Sequence, residues 1–350
     1  MIGYTISQIR ENDKYGRAEL LKLLTRENIK LDTNLDYTAG VYDNNYNLIA
    51  TGSCYANTLR CIAVDSNFQG EGIMNQIVSH LVEYQMNRGN SHLFVYTKCD
   101  TAIFFSDFGF YEIARIDDIN DIDDKISFME NKKNGFADYL KNLSAHKKDE
   151  NSAVIIMNCN PFTLGHRCLI EKAAHENNTV HVFIVSEDAS FIPFADRYEM
   201  LKLGCSDLKN VILHETKSYM ISNAVFPSYF LNGETEVVNA HAKLDITLFM
   251  EIAKTLGVKK RYVGEEPFSN VTNIYNQNMI EQLPKIGVSC VVIPRMSFDG
   301  KRISASYVRE LIHDDKISEI EKYVPKTTFD FLKRMKANGR NNQKIFQFMD

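Results

Sequence analysis

The sequence lacks C-x-x-C pairs, long apolar runs and an excess of positive charge, and each absence excludes a class of protein. Its seven cysteines are scattered and odd in number, which predicts thiols in a reducing compartment rather than disulfides or a zinc site. No apolar run approaches the roughly 18 residues of a membrane span, and the polar start lacks a signal-peptide pattern. The net charge of −5 argues against broad nucleic-acid or membrane binding. We expect a cytoplasmic protein with neither partner.

The composition that remains is that of an ordinary globular protein. A chain of 350 residues, 44% of them hydrophobic, is long enough for two domains. Residues 117–124 are rich in carboxylates, residues 144–151 are polar, and the stretch 128–143 between them has a helical pattern. We predict a first domain over 1–119, a connecting helix and linker over 120–150, a second domain over 151–338 and a polar tail over 339–350.

The two predicted domains differ in their secondary-structure pattern. The first mixes strands with helices, and Asp43-Asn44-Asn45 is a hairpin signal. The second alternates strand and helix, which is typical of a parallel sheet whose ligands lie beyond the carboxyl ends of its strands. The predicted fold class is therefore α/β, with a mixed α+β domain before a parallel-sheet domain. Strands are predicted at 39–42, 48–53, 59–64, 92–97, 153–157, 180–185, 210–213, 260–263 and 288–293, and helices at 73–86 and 101–107.

The most informative segment is residues 158–166, Asn-Cys-Asn-Pro-Phe-Thr-Leu-Gly-His, which follows a buried strand and opens a helix. A helix start presents unpaired N–H groups and a positive dipole end, which suit a triphosphate. Thr163 stands at the N-cap and His166 follows on the same face, so both side chains can donate to one phosphate. The alternative is a capped turn with His166 at the surface.

A second segment, residues 303–309, has matching chemistry. Ser304 can cap the following helix, Ser306 adds a hydroxyl in its first turn and Arg309 supplies a planar cation, which together suit the β- and γ-phosphates of ATP. An ordinary Ser-capped helix with a solvated arginine is the alternative. Two such segments at opposite ends of one α/β pattern favour a nucleotide site.

Both segments resemble signatures of the nucleotidyltransferase superfamily, H-x-G-H and I-S-S-T-x-x-R, with Thr163 in place of the first histidine. The resemblance implies a Rossmann-like domain that binds ATP. It implies that Gly165 lets a phosphate approach the backbone, and that His166 stabilises charge as pyrophosphate departs. Arg309 would be the third catalytic residue beside His166 and Thr163. The loop residues Asn160, Pro161 and Phe162 would belong to the nucleotide site.

Other segments resemble the citrate lyase ligase family over essentially the whole chain: residues 196–200, 226–230 and 261–268, Tyr275-Asn276 and Leu283-Pro284. That resemblance implies an ATP-dependent ligase with Mg²⁺. Acetate and ATP would form acetyl-adenylate and pyrophosphate. The acetyl group would then pass to the thiol of a dephospho-CoA-type prosthetic group on the acyl-carrier subunit of citrate lyase, its partner.

Three further residues extend the predicted nucleotide site, and one arginine is ambiguous. Gly264 would contact the sugar or base, and Glu265 or Glu266 would accept a ribose hydroxyl or hold Mg²⁺ through water. Solvated carboxylates are the alternative. Arg197 pairs either with the triphosphate or with its acidic neighbours on the same helix. The histidines have no Cys or carboxylate partners at ligand spacing, so no protein-held metal site is predicted.

The first domain resembles GNAT acetyltransferases. Gln69, Gly70 and Gly72 stand where that family has its acyl-CoA pyrophosphate loop, and Phe108-Gly109-Phe110 is similar to its G-F motif. This domain would bind the prosthetic arm or the carrier, serve a structural role, or acetylate an amine. For the whole chain, three alternatives to the ligase stay open: an adenylyltransferase acting on a phosphate acceptor, a GNAT acetyltransferase with a nucleotide-sensing domain, and a non-catalytic partner of citrate lyase.

Overall fold

A computed structural model of the protein describes residues 3–116, 125–148, 151–188, 190–222, 226–227, 229, 231, 234–265, 270–298 and 301–337. Contacts within the chain separate two compact units. The first comprises Met1–Asp138 and Phe226–Leu244, and the second comprises Tyr139–Val225 and Asp245–Asp350. The predicted tail at 339–350 and the linker residues 120–124 lie outside the described part of the chain.

The first unit is built on a mixed sheet. Its strands are β1 Thr5–Gln8, β2 Tyr37–Tyr42, β3 Leu48–Tyr55, β4 Thr58–Val64, β5 Phe94–Lys98, β6 Tyr111–Ile116 and β7 Ile126–Glu130. Among the described residues they follow the order β1-β2-β3-β4-β5-β7-β6. Neighbours are antiparallel except β4 and β5, which are parallel. The helices are α1 Lys14–Arg26, α2 Ile73–Asn87 and α3 Cys99–Ser106.

The apolar spacing of α2 explains how this unit is held together. Ile73, Ile77 and Leu81 recur at helical intervals and are buried in one core cluster with residues of β3. The strands and helices predicted for this unit occur, with bounds shifted by a few residues. One prediction is wrong: the helix expected from residue 128 begins at Gly135, because residues 126–130 form β7 and pair with β5 and β6.

The second unit contains a parallel sheet. Its strands are β8 Ser152–Met157, β9 Thr179–Ile184, β10 Val211–Glu215, β11 Val258–Gly264 and β12 Ser289–Ile293. In the described chain they follow the order β10-β9-β8-β11-β12, all pairs parallel. The order reverses direction between β8 and β11. The remaining α-helices of the described chain are α4 Gly135–Ser144, α5 Leu164–Glu176, α6 Phe194–Gly204, α7 Glu234–Leu256, α8 Asn270–Gln282, α9 Ala305–His313 and α10 Lys326–Ala337. Of these, α4 and α7 begin in the first unit and end in the second. Two short strands, β13 Ser297–Phe298 and β14 Lys301–Arg302, also belong to the second unit.

Burial on both faces of the parallel sheet accounts for the apolar runs in its strands. Ala153 and Ile155 of β8 are fully buried in one cluster with Ile170 of α5, and Val154 on the other face is also fully buried. The predicted fold class is confirmed: a mixed α+β unit comes first, and an α/β unit with a parallel sheet follows.

Two further observations concern the described residues as a whole. No helix among them combines the length and apolarity needed to cross a membrane. None of the seven cysteines forms a disulfide.

Candidate functional site

A cavity of about 490 Å³ opens in the second unit at the carboxyl edge of the parallel sheet. Met157 of β8, Gly264 of β11 and Ile293 of β12 line it, and each is the last residue of its strand. Because β8 and β11 flank the point where the strand order reverses, the cavity lies where open α/β sheets bind ligands. Its volume is in the range of small-molecule sites.

The start of α5 forms one wall of this cavity. Thr163 is the N-cap, and its Oγ1 accepts a hydrogen bond from the backbone N–H of His166 at 3.3 Å. In return, Nδ1 of His166 accepts from the backbone N–H of Thr163 at 3.1 Å. This is a capping box with histidine in the place where glutamate is usual. Thr163 and His166 both line the cavity, together with Gly165.

The capping box determines which nitrogen of His166 carries the proton. Nδ1 accepts a hydrogen bond, so we assign the proton of the neutral ring to Nε2. Burial of the ring, and next the positive charge of Arg295, lower the pKa of His166 to about 4. The half-buried imidazole is therefore neutral near pH 7, and its remaining hydrogen-bonding group is a donor.

Gly165 belongs to the first motif segment and lies against Ile303 of the second. A Cβ atom added there would meet the carbonyl oxygen of Ile303 and Oγ1 of Thr163 at 3.6 Å, which is ordinary van der Waals contact. The protein around Gly165 therefore leaves room for a larger residue. The open side of this glycine is the cavity.

The second motif segment also lines the cavity, next to the first. Ser304 is the N-cap of α9, and its Oγ accepts a hydrogen bond from the backbone N–H of Tyr307 at 3.0 Å. Ser304 and Ser306 both line the cavity. Two helix starts thus meet at one cavity, where Gly165 of α5 and Ala305 and Ser306 of α9 are lining residues.

Arg309 joins the two motifs. Its Nη1 donates to the carbonyl oxygen of Asn160 at 2.8 Å, and its Nη2 donates to Oγ of Ser306 at 3.1 Å. Burial lowers the pKa of this guanidinium. The arginine of the second motif therefore holds the loop of the first.

Arg197 requires a correction. The sequence predicts that its guanidinium pairs either with the triphosphate or with the acidic neighbours on the same helix. The structure shows other partners. Arg197 is fully buried, and its guanidinium donates to Oδ1 of Asn158 at 2.6 Å. It also donates to four backbone carbonyl oxygens, those of Asn158, Val185, Glu187 and Ile192. All three nitrogens of the guanidinium donate to these groups, so Arg197 supports the loop after β8, and it is not among the residues that line the cavity.

The structure also places three predicted loop residues behind the cavity wall. Asn160, Pro161 and Phe162 are buried and do not line the cavity. Phe162 packs on Gly204 of α6, where any Cβ would overlap the ring. Oδ1 of Asn160 accepts from the backbone N–H of Ile192 at 3.0 Å. These side chains shape the loop that carries Thr163 and His166.

The end of β11 contributes the third wall. Gly264 lines the cavity and its carbonyl oxygen accepts from Nδ2 of Asn276 at 3.1 Å. Glu265 is exposed at the rim, and it is the one carboxylate among the described lining residues. Glu266 lies outside the described residues.

Sequence reasoning missed several cavity residues. Arg295 lines the cavity and its charge acts on His166. A basic residue just after the last predicted strand, 288–293, was the available signal. Arg261, Tyr275 and Met279 also line the cavity. The first two stand in segments that the family resemblance had already marked.

The glycine loop of the first unit lies directly before α2. Gly70 and Gly72 have φ angles of 86° and 75°, a region that glycine adopts without steric cost. Gly72 is the N-cap of α2 and supplies no side-chain hydrogen bond. Glu71 accepts a hydrogen bond from the hydroxyl of Tyr4. The loop therefore combines left-handed glycines with a helix start, as anion-binding turns do, and its acyl-CoA-type ligand stays a prediction.

A family model matches residues 152–332 of this chain, and its description is the citrate lyase ligase C-terminal domain. The matched span contains both motif segments and all of the residues that line the cavity.

Full-length relatives show the same likeness. The citrate (pro-3S)-lyase ligase of Haemophilus influenzae is 34% identical over 335 residues, with 93% of this chain and 98% of that protein covered. The protein of the same name from Klebsiella pneumoniae is 33% identical over 329 residues, with 92% and 94% covered. The similarity therefore reaches beyond the second unit into the first.

Solved structures are similar to a smaller part of the chain. The crystal structure of Escherichia coli ElaA is similar over 38% of this chain and 100% of that one, at 16% identity and a TM-score of 0.32. A likeness at this TM-score carries no argument about function.

Proposed function

The chain belongs to the citrate lyase ligase family and is an enzyme of the ligase type, and from this premise we propose the reaction that its cavity carries. Acetate and ATP react to give acetyl-adenylate and pyrophosphate. The acetyl group then moves to the thiol of the prosthetic group on the acyl-carrier subunit of citrate lyase, and AMP leaves. The product is the acetylated, active lyase.

One observation supports this proposal above the others. The starts of α5 and α9, which carry the two nucleotidyltransferase-like motifs, line the same cavity at the reversal of the strand order. Thr163, His166, Ser304 and Ser306 all line it. This arrangement provides backbone donors, hydroxyl groups and a neutral imidazole donor for a triphosphate.

Within this site the chain's residues have separate tasks. His166 donates from Nε2 to the α-phosphate, where negative charge shifts toward the leaving pyrophosphate. Ser304 and Ser306 hold the β- and γ-phosphates with the start of α9. Arg309 keeps the two motifs together and adds positive charge, and Arg295 adds a second cation. Thr163 acts chiefly by fixing the ring of His166.

Mg²⁺ fits this arrangement as a companion of the triphosphate. Magnesium sites of this type use one or two carboxylates together with phosphate oxygens. Glu265 at the cavity rim is a suitable carboxylate, and it would hold the ion through water. The ion would neutralise phosphate charge.

The chemistry balances in two steps. A carboxylate oxygen of acetate attacks the α-phosphorus, the bond from that phosphorus to the bridging oxygen breaks, and pyrophosphate leaves. The thiolate sulfur of the prosthetic group then attacks the acetyl carbon, the bond from that carbon to the AMP oxygen breaks, and AMP leaves. We further propose that the loop of Gln69, Gly70 and Gly72 in the first unit binds the prosthetic arm of the carrier.

Replacing Gly165 by alanine tests the phosphate position directly. The added methyl group contacts the protein at ordinary distances, and alanine favours a helix over glycine by about 1 kcal/mol. We expect the melting temperature to stay or rise while the dissociation constant for ATP increases about tenfold or more. Calorimetric titration with a non-hydrolysable ATP analogue measures the binding. Unchanged affinity would show that the phosphates do not approach Gly165.

Replacing Arg309 by alanine removes both the link to Asn160 and one positive charge. A charged hydrogen bond contributes about 1.5–3 kcal/mol, so we expect the KM for ATP to rise about tenfold or more. Arg334→Ala, an exposed arginine on α10, is the matched control and should leave the KM unchanged. Wild-type ATP kinetics in Arg309→Ala would remove Arg309 from the site.

The proposal is tested by exchange of labelled pyrophosphate into ATP, with and without acetate. Exchange that requires acetate supports the ligase. Transfer of AMP to a phosphate acceptor without acetate would instead favour an adenylyltransferase, the alternative that uses the same cavity.

A further inference from the structure

The cavity contains a buried arginine that the nucleotide site does not use. Arg261 lies in the middle of β11, is 4% exposed and contributes to the cavity lining. Its Nη2 donates to Oδ2 of Asp245 on α7 at 3.2 Å. Its guanidinium carbon lies 4.4 Å from the ring centre of Phe249.

This arginine has hydrogen-bond donors to spare. Its Nε and Nη1 atoms are buried, and neither has an acceptor among the residues that the structure describes. Buried charged donors are almost always paired, because leaving one without an acceptor costs more than a neutral group does. A structural clamp between β11 and α7 needs only the bond to Asp245. The two remaining donors indicate a ligand that supplies acceptor oxygens.

The surroundings restrict which ligand this is. The pair Arg261–Asp245 is neutral as a whole, so it suits a group with one negative charge better than a triphosphate with several. Met279, 2% exposed, adds an apolar side chain to the lining of the same cavity. Tyr275 hydrogen-bonds with both Asp245 and Arg261. A short monocarboxylate suits this lining, because its carboxylate can accept from the free donors of the guanidinium and its short chain can contact the apolar side chain.

We propose that Arg261 binds the carboxylate of the acid substrate and that Arg261, Tyr275 and Met279 form the acid subsite of the cavity. This inference rests on the proposed function, since it names where acetate is held for attack on ATP. Carboxylate and guanidinium form charge-assisted hydrogen bonds, which are about twice as strong as neutral ones. The buried position of Arg261 favours acids with a short chain.

Kinetics of acetate-dependent pyrophosphate exchange test the subsite. In Arg261→Gln we expect the KM for acetate to rise about 10- to 100-fold, as for the loss of a charged hydrogen bond, while the KM for ATP stays within about twofold of wild type. Arg261→Lys keeps the charge but loses the planar donors, so its KM for acetate should lie between the two. Lys259→Gln, an exposed cation on the same strand, should match wild type.

A second variant gives a result of opposite sign. Asp245→Asn removes the negative charge next to the bound acid, so the KM for acetate should fall by about threefold or more. If Arg261 and Asp245 were only a structural clamp, both variants would damage the protein alike, and the KM for acetate would not move in opposite directions.

The outcomes separate this inference from the proposed function. Absence of exchange in the wild type would reject the proposed function. Wild-type exchange together with an unchanged KM for acetate in Arg261→Gln would reject the subsite alone. A rise in the KM for ATP alone, or loss of the fold in both Arg261 variants, would assign Arg261 to another role and overturn the proposal.

Discussion

Replacing His166 by alanine is expected to lower the turnover of acetate-dependent pyrophosphate exchange by about 10²–10³, with only a modest change in the KM for ATP. The imidazole is neutral because its pKa is lowered to about 4, and Nδ1 is occupied by the backbone of Thr163. Nε2–H is thus a fixed donor, and in the proposed reaction its contact with the α-phosphate would strengthen as charge moves onto the leaving group. Its loss should therefore reduce turnover more than binding.

The control for this variant lies on the same helix. His175 is exposed near the end of α5, and His175→Ala should retain wild-type turnover. Loss of half the capping box in His166→Ala should cost about 1 kcal/mol of stability, so kinetics are compared well below the melting temperature of the variant. A fall in turnover of less than about threefold would contradict the role assigned to His166.

Replacing Arg197 by alanine is expected to reduce the free energy of unfolding by about 3–5 kcal/mol. Arg197 is fully buried and donates to four backbone carbonyl oxygens and to the side chain of Asn158. Without the guanidinium these acceptors stay buried and lose their donors, which costs about 1–3 kcal/mol for each that no water reaches. Urea denaturation followed by circular dichroism measures the change.

Lys202→Ala provides the matched comparison for Arg197→Ala. Lys202 is an exposed cation on the same helix, α6, and its side chain is 61% exposed. Its removal should change the free energy of unfolding by less than about 0.5 kcal/mol. An equally small effect for Arg197→Ala would show that the loop after β8 is held by other contacts. A large loss of ATP affinity at full stability would restore the direct phosphate contact that the structure argues against.

Local patterns predicted the parallel sheet and the two helix starts well. The apolar run of β8 is bounded by turn residues and buried on both faces. Its sequence therefore predicts both that it is a strand and where that strand lies. Thr163 and Ser304 were identifiable as N-caps because a cap depends on neighbours within one turn. That both helices contribute to one site was expected from the chemistry of the two segments and from their joint resemblance to one superfamily.

Features that depend on distant partners could not be predicted in the same way. The helix predicted from residue 128 overlaps the end of β7 because this strand lacks an alternating pattern: all five of its residues are buried, and pairing with β5 and β6 decides their conformation. Arg197 was ambiguous because most of its acceptors are carbonyl groups, which leave no signal in the sequence. The pairing of Arg261 with Asp245 joins a strand to a helix and has no local signature either.

The measurement that tests the central claim most directly is the exchange of labelled pyrophosphate into ATP by the wild-type enzyme with Mg²⁺, in the presence and absence of acetate. The proposed chemistry predicts exchange with acetate and none without it, and a loss of about 10²–10³ in His166→Ala. Exchange that is independent of acetate, or acetyl transfer from acetyl-CoA that needs no ATP and persists in His166→Ala, would contradict it.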